Sequence, residues 1–128
     1  MQFLYHDQDL AVVIKPVGVD SESAVPAAIQ AEFGGECFTV HRLDLNVGGV
    51  MVYARTKAAA ATLSRAIQDG TMVKEYVALV HGTPEYTGDW TDLLLKDMRK
   101  NKVFVVDRLR KGVKEARLLP ESLPPVKS

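Results

Sequence analysis

The sequence is poor in several features at once, and each shortage narrows what the chain can be. It holds one cysteine, Cys37, so it has no internal disulfide framework and no cysteine-built zinc site. No apolar run approaches the roughly 20 residues of a membrane-spanning helix. The opening residues Met1-Gln2-Phe3-Leu4-Tyr5-His6-Asp7 lack a basic region or an apolar signal core. The expected compartment is therefore the cytoplasm, with no membrane partner. The three histidines, His6, His41 and His81, stand in separate segments and not at metal-ligand spacing, so no metal is expected. A glycine-rich phosphate loop, a nucleophilic serine elbow and a dinucleotide fingerprint are all missing.

Net charge is also lacking, because 16 basic residues cancel 16 acidic ones. Taken whole, that balance argues against a polyanionic partner, but counting by segment reverses it. Residues 1–50 carry two bases against seven acids, whereas residues 96–117 carry nine bases against three acids, a net of +6. Such asymmetry points toward polyanion contact, although for charge alone a solvated basic hairpin whose bases pair with the acidic N-terminal half is the favoured account. What remains is ordinary for a globular protein: 128 residues, 47% hydrophobic and 25% charged. That length suits one domain or a large part of one, and a chain of this size buries roughly two-thirds of its unfolded surface.

Phe3-Leu4-Tyr5 and Ala11–Lys15 read as strands joined by the polar turn 6–9, and Pro16 with Gly18 ends the second. Pro26 suits the first turn of a helix that Gly34-Gly35 stops. Cys37–Val40 is expected as a strand with Cys37 buried in it. A loop-like break follows over His41–Gly49, then the apolar strand Val50–Ala54. Thr56 is a good N-cap for a helix over Lys57–Asp69, with Ala59, Leu63, Ala66 and Ile67 on one side. Val73–Val80 alternates as a strand does, and Val103–Val106 and Val113–Leu119 form a basic pair around Lys111-Gly112. The order of elements predicts an α+β fold, a largely antiparallel mixed sheet with packed helices.

For chemistry, the loop at 41–49 is the place to look. Asp44 sits on a predicted turn beside Asn46 and the Gly48-Gly49 pair, where a substrate could approach the backbone. Taken alone, an aspartate there is more often a turn-stabilising acceptor. Arg42 alone reads as a surface cation. Tyr76 alone reads as a core or rim aromatic, though a tyrosine can also stack on a base for about 1–3 kcal/mol.

The ordered set is more specific than its members. Leu4 through Gly18 with Lys15-Pro16-Val17-Gly18, then His41-Arg42-Leu43-Asp44, then Gly48-Gly49 and an apolar strand, then Val73-Lys74-Glu75-Tyr76 through Gly82 together resemble one family. It is the large-subunit-rRNA and tRNA type of pseudouridine synthase, often named the RluA family. The resemblance runs over most of residues 3–119 and includes the basic stretch from Leu94 to Ala116.

The resemblance implies isomerisation of uridine to pseudouridine in rRNA or tRNA without a cofactor. It implies that Asp44 starts the reaction, whichever of attack or proton removal that involves. Tyr76 matches a tyrosine packed on the target uracil, and Arg42 an arginine beside a flipped-out nucleotide. Lys74, Lys100, Lys102, Arg110 and Lys111 are the expected RNA contacts, while Lys15 and Pro16 match a motif that supports the site floor. Two departures stand out. The Thr-Ser-Gly common in the family is replaced here around Asn46-Val47-Gly48, and the family's Gly-Arg-x-His-Gln-Ile-Arg motif is not found in the 128 residues. Residues 1–128 are therefore expected to be a partial catalytic domain, with 120–128 a disordered or non-native tail. Exposed sheet edges should then favour self-association, and activity should be weak. The other reading is an inactive RNA-binding remnant.

Overall fold

Alternation along the strand Leu10–Lys15 (β2) sets the first half of the fold. Ala11, Val13 and Lys15 are buried, whereas Leu10, Val12 and Ile14 on the other face are only half-buried. In this computed structural model, residues 1–82, 90–97, 102–106 and 113–120 are described. Contacts gather the chain into two compact units, Met1–Tyr76 and Val77–Ser128.

In the first unit β2 pairs antiparallel with β1 (Gln2–His6) and with β4 (Gly49–Ala54). The short strand β3 (Phe38–Thr39) adds to β4, giving the order β1-β2-β4-β3. The β1–β2 turn is closed by Asp7, whose Oδ1 accepts from the amides of Asp9 and Leu10 at 2.8 and 2.9 Å. Register places Val13 opposite Met51 and Ala11 opposite Tyr53, so these four share one face. Helix α1 (Ala24–Phe33) lays Val25 and Ile29 into the same core, and Leu43 joins them from the loop. Burying each of those aliphatic side chains contributes about 1.5–3 kcal/mol.

Helix α1 holds Pro26 in its first turn, as expected, and Asp20 organises its entry. The Asp20 carboxylate accepts from the amides of Glu22 and Ser23 at 2.8 and 3.0 Å. Helix α2 (Lys57–Gln68) starts as expected: Thr56 Oγ1 accepts from the Ala59 amide at 3.1 Å. Ala59, Leu63, Ala66 and Ile67 are half-buried, while Lys57, Arg65 and Gln68 are exposed. Cys37 lies just before β3 and not within a strand; it is half-buried against the core, and burial pushes its thiol pKa up.

The second unit holds an antiparallel sheet of order β6-β5-β7, built from β5 (Trp90–Asp97), β6 (Lys102–Val106) and β7 (Val113–Leu118). Strand β5 was not expected. The fold is α+β, and every pairing among the described residues is antiparallel.

Val73–Val80 requires a correction. It is not a strand, and no described residue pairs with it. Its residues are exposed throughout, Val77 to 85% and Leu79 to 83%. Alternation gives a segment strand propensity, but a strand exists only where a neighbour takes up its N–H and C=O groups. The expected tail beyond Pro120 lies outside the described residues.

Candidate functional site

The loop between β3 and β4 presents Asp44 to solvent while gripping the main chain on both sides of it. On one side, Leu43 buries its side chain in the core. Its amide donates to Ser21 Oγ at 3.1 Å, and its carbonyl accepts the Ser21 hydroxyl. On the other side, the Leu45 carbonyl accepts from the Gly18 amide at 2.7 Å and from Lys15 Nζ at 3.4 Å. Gly18 delivers its amide from a backbone with φ +86°, a conformation only glycine adopts without strain. Asp44 closes its own turn, its carbonyl accepting from the Val47 amide at 2.9 Å. Among the described residues its carboxylate has no hydrogen-bond partner.

Lys15 is wholly buried and has no carboxylate partner among the described residues. Its Nζ also donates to the carbonyls of Pro16 and Val19, at 3.0 and 2.7 Å. Three acceptors need the three donors of an ammonium, so the charge sits inside a ring of backbone dipoles. Gly48 packs against the same floor: a Cβ there would lie 3.2 Å from the Lys15 carbonyl oxygen and 3.4 Å from the Val17 nitrogen.

His41 closes the upper end of the loop. Its Nε2 accepts from the Val52 amide at 3.1 Å, continuing the ladder where β3 stops. Burial, and then the nearby Lys74 charge, hold its pKa below the ordinary histidine value. Lys74 is thus near enough for its charge to be felt at His41. Arg42 is engaged with Glu22 at 3.1 Å, both side chains being mostly exposed. An exposed pair of this kind is worth about 0–1 kcal/mol, so releasing Arg42 to a phosphate costs little.

Of the other expected site residues, Tyr76 has no hydrogen bond or ring contact among the described residues and is 62% exposed. Lys102 lies on β6 opposite Asp97. Lys100, Arg110 and Lys111 fall outside the described residues. No group of three His, Cys, Asp or Glu side chains among the described residues is gathered as metal ligands would be.

Sequence reasoning missed Ser21 and Tyr53. Ser21 grips Leu43, and the Tyr53 hydroxyl donates to the Ser21 carbonyl at 2.6 Å. A serine in a polar loop and a tyrosine in an apolar strand carry no local signal of meeting. A tyrosine in the midst of Val50–Ala54 needs a partner for its hydroxyl, and that was the available clue.

Comparison with known proteins bears on this geometry. Residues 9–124 match the family described as RNA pseudouridylate synthase. The chain is 32% identical over 124 residues to the ribosomal large subunit pseudouridine synthase C of Buchnera aphidicola, covering 87% of this chain and 38% of that protein. It is 36% identical over 100 residues to the dual-specificity RNA pseudouridine synthase RluA of Escherichia coli, covering 72% and 45%. The chain thus spans less than half the length of these relatives. Among solved structures, human RNA pseudouridylate synthase domain containing 4 shares the fold, with a TM-score of 0.69 at 24% identity over 91% of this chain and 51% of that one. With the family's motif order laid out on this sheet and loop, the chain belongs to the RNA pseudouridylate synthases.

Proposed function

We propose that this chain carries the aspartate half of a pseudouridine-forming site and isomerises uridine within rRNA or tRNA. The observation that carries the reading is Asp44, exposed on a loop whose neighbours Leu43 and Leu45 are both anchored, in a chain of this family. The glycosidic bond from C1′ to N1 breaks, the uracil turns, and C1′ bonds to C5; the proton leaves C5 and N1 gains one. Atoms balance without a cofactor. Arg42 and Lys74 serve the nucleotide beside Asp44, and Tyr76 packs on the uracil. Lys100, Lys102, Arg110 and Lys111 supply phosphate contacts, each of which makes binding weaken with salt. The protein works in the cytoplasm; among the described residues no helix is long and apolar enough to cross a membrane.

The test is tritium release from RNA labelled at uridine C5. Wild type should release tritium, and Asp44→Asn should release none while RNA binding stays within twofold. Equal release from Asp44→Asn refutes the reading. A second reading, RNA binding without turnover, draws on the exposed Tyr76 and on segment 73–80, with which no described residue pairs. It predicts salt-dependent RNA binding and no release from either protein. Under that reading residues 1–128 are a partial domain, and exposed sheet edges favour self-association, seen as concentration-dependent melting.

A further inference from the structure

We infer that Ser21 and Tyr53 are positioning residues that fix the Asp44 turn to the central sheet. The inference rests on the proposed role of Asp44 and names the parts that hold it. Tyr53 is wholly buried on β4, opposite Ala11 on β2. Its hydroxyl reaches across 32 positions to the Ser21 carbonyl, with the Met51 sulfur 3.5 Å away as a second contact. Ser21, 3% exposed, then uses its own hydroxyl twice on one residue: it accepts from the Leu43 amide and donates to the Leu43 carbonyl. The chain of contacts runs from rigid strand to phenol, to serine main chain, to serine hydroxyl, to the peptide groups flanking Leu43, and so to Asp44.

Satisfying a buried phenol accounts for only the first of these bonds. A water or any buried carbonyl would do that, whereas the two-point grip on Leu43 fixes the position and orientation of the backbone entering Asp44. Burial, more than the negative charges nearby, raises the Tyr53 pKa far above that of a free phenol, so the hydroxyl stays a donor throughout the working pH range. A reacting group displaced by about 1 Å can lose on the order of a hundredfold in rate, which gives such a grip its value.

The experiment uses the 128-residue chain with Tyr53→Phe, Ser21→Ala and the conservative Ser21→Thr. Amide exchange at Val47 reports the turn, because that amide donates to the Asp44 carbonyl. Single-turnover tritium release, at saturating protein, reports the reaction on transcripts of tRNA and large-subunit rRNA labelled at uridine C5. In Tyr53→Phe and Ser21→Ala, Val47 exchange should quicken about tenfold while β2 and β4 amides keep their protection. The single-turnover rate should fall roughly ten- to a hundredfold, with half-saturation by RNA unchanged, and Ser21→Thr should recover most of both.

Unchanged Val47 exchange in both variants overturns the inference, as does quickened exchange with an unchanged rate. Loss of protection across β2 and β4 together marks a general folding role and overturns it for that residue. If the wild type releases no tritium, the proposed activity fails separately, and Val47 exchange alone decides whether the pair holds the turn.

Discussion

Replacing Lys15 by methionine tests how the floor beneath Asp44 is held. Methionine keeps an unbranched side chain but removes the Nζ that donates to Pro16, Val19 and Leu45. The Leu45 carbonyl retains the Gly18 amide at 2.7 Å, so two carbonyls lose the partner they had. An acceptor left unmet costs about 1–3 kcal/mol, or about 2–6 kcal/mol for the pair. Two effects reduce this. The ammonium no longer has to be desolvated, a burden of several kcal/mol in a buried site, and Pro16 is exposed, so its carbonyl has water within reach. All three ammonium protons are used in the wild type, which offsets most of that burden already. The net loss should be about 1–3 kcal/mol, equal to a fall of about 1 M in the urea midpoint at the slopes usual for small proteins. Amide exchange of β2 and β4 against urea is the suitable probe, because the lone tryptophan, Trp90, belongs to the other unit. A midpoint equal to or above wild type, with unchanged slope, refutes the reasoning: the buried charge would then be a net cost and apolar packing alone would hold the floor.

Two further outcomes follow from the same loop. His41 has a lowered pKa, so the unfolded chain takes up its proton first; the stability His41 contributes is complete above its ordinary value of 6.5 and is lost as pH falls below it. Urea midpoints measured from pH 8 to 5 should therefore fall more steeply in wild type than in His41→Gln, and parallel curves would show that His41 is not the group responsible. Gly48→Ala should cost about 1 kcal/mol, since its Cβ presses on the Lys15 carbonyl oxygen and the Val17 nitrogen as well as on the Val17 γ-methyl, and the backbone atoms cannot rotate away; an unchanged midpoint would mean the turn shifts freely.

How much of this was legible in the sequence depends on how local each cause is. Strands β1, β2 and β4 and helix α2 rest on alternation, period and a cap within a few residues, and they lie within a residue or two of expectation. Pro26 falls in the first turn of α1 as expected, and the Asp20 carboxylate organises the entry just ahead of it. Val73–Val80 failed because propensity is local and pairing is not. Strand β5 went unseen in the reverse way: Trp90–Asp97 mixes Leu93, Leu94 and Leu95 with charged ends, and it becomes a strand because β6 and β7 flank it on both edges. Asp44 was singled out through its motif, but the Ser21–Leu43 and Lys15–Leu45 bonds that hold its turn join residues 22 and 30 positions apart. No window of sequence contains them.

The loop's construction bears on how a carboxylate can be both ready and selective. Its main chain is fixed by a buried serine, a buried lysine and a glycine amide, so the ordering entropy of the turn is met by folding, before any RNA arrives. The Asp44 carboxylate, by contrast, is exposed and without a hydrogen-bond partner among the described residues, and Arg42 rests on Glu22 through a bond of small net value. Under the proposed function, the rigid part would define where the reaction occurs, while Arg42 and Asp44 would remain available to a nucleotide. In the proposed reaction, a uridine that brought a phosphate to Arg42 and excluded water around Asp44 would strengthen the charge interactions there, because the effective dielectric falls where water is excluded. Binding and activation would then be one event, and a base that could not leave its helix to reach Asp44 would gain nothing from the proposed site.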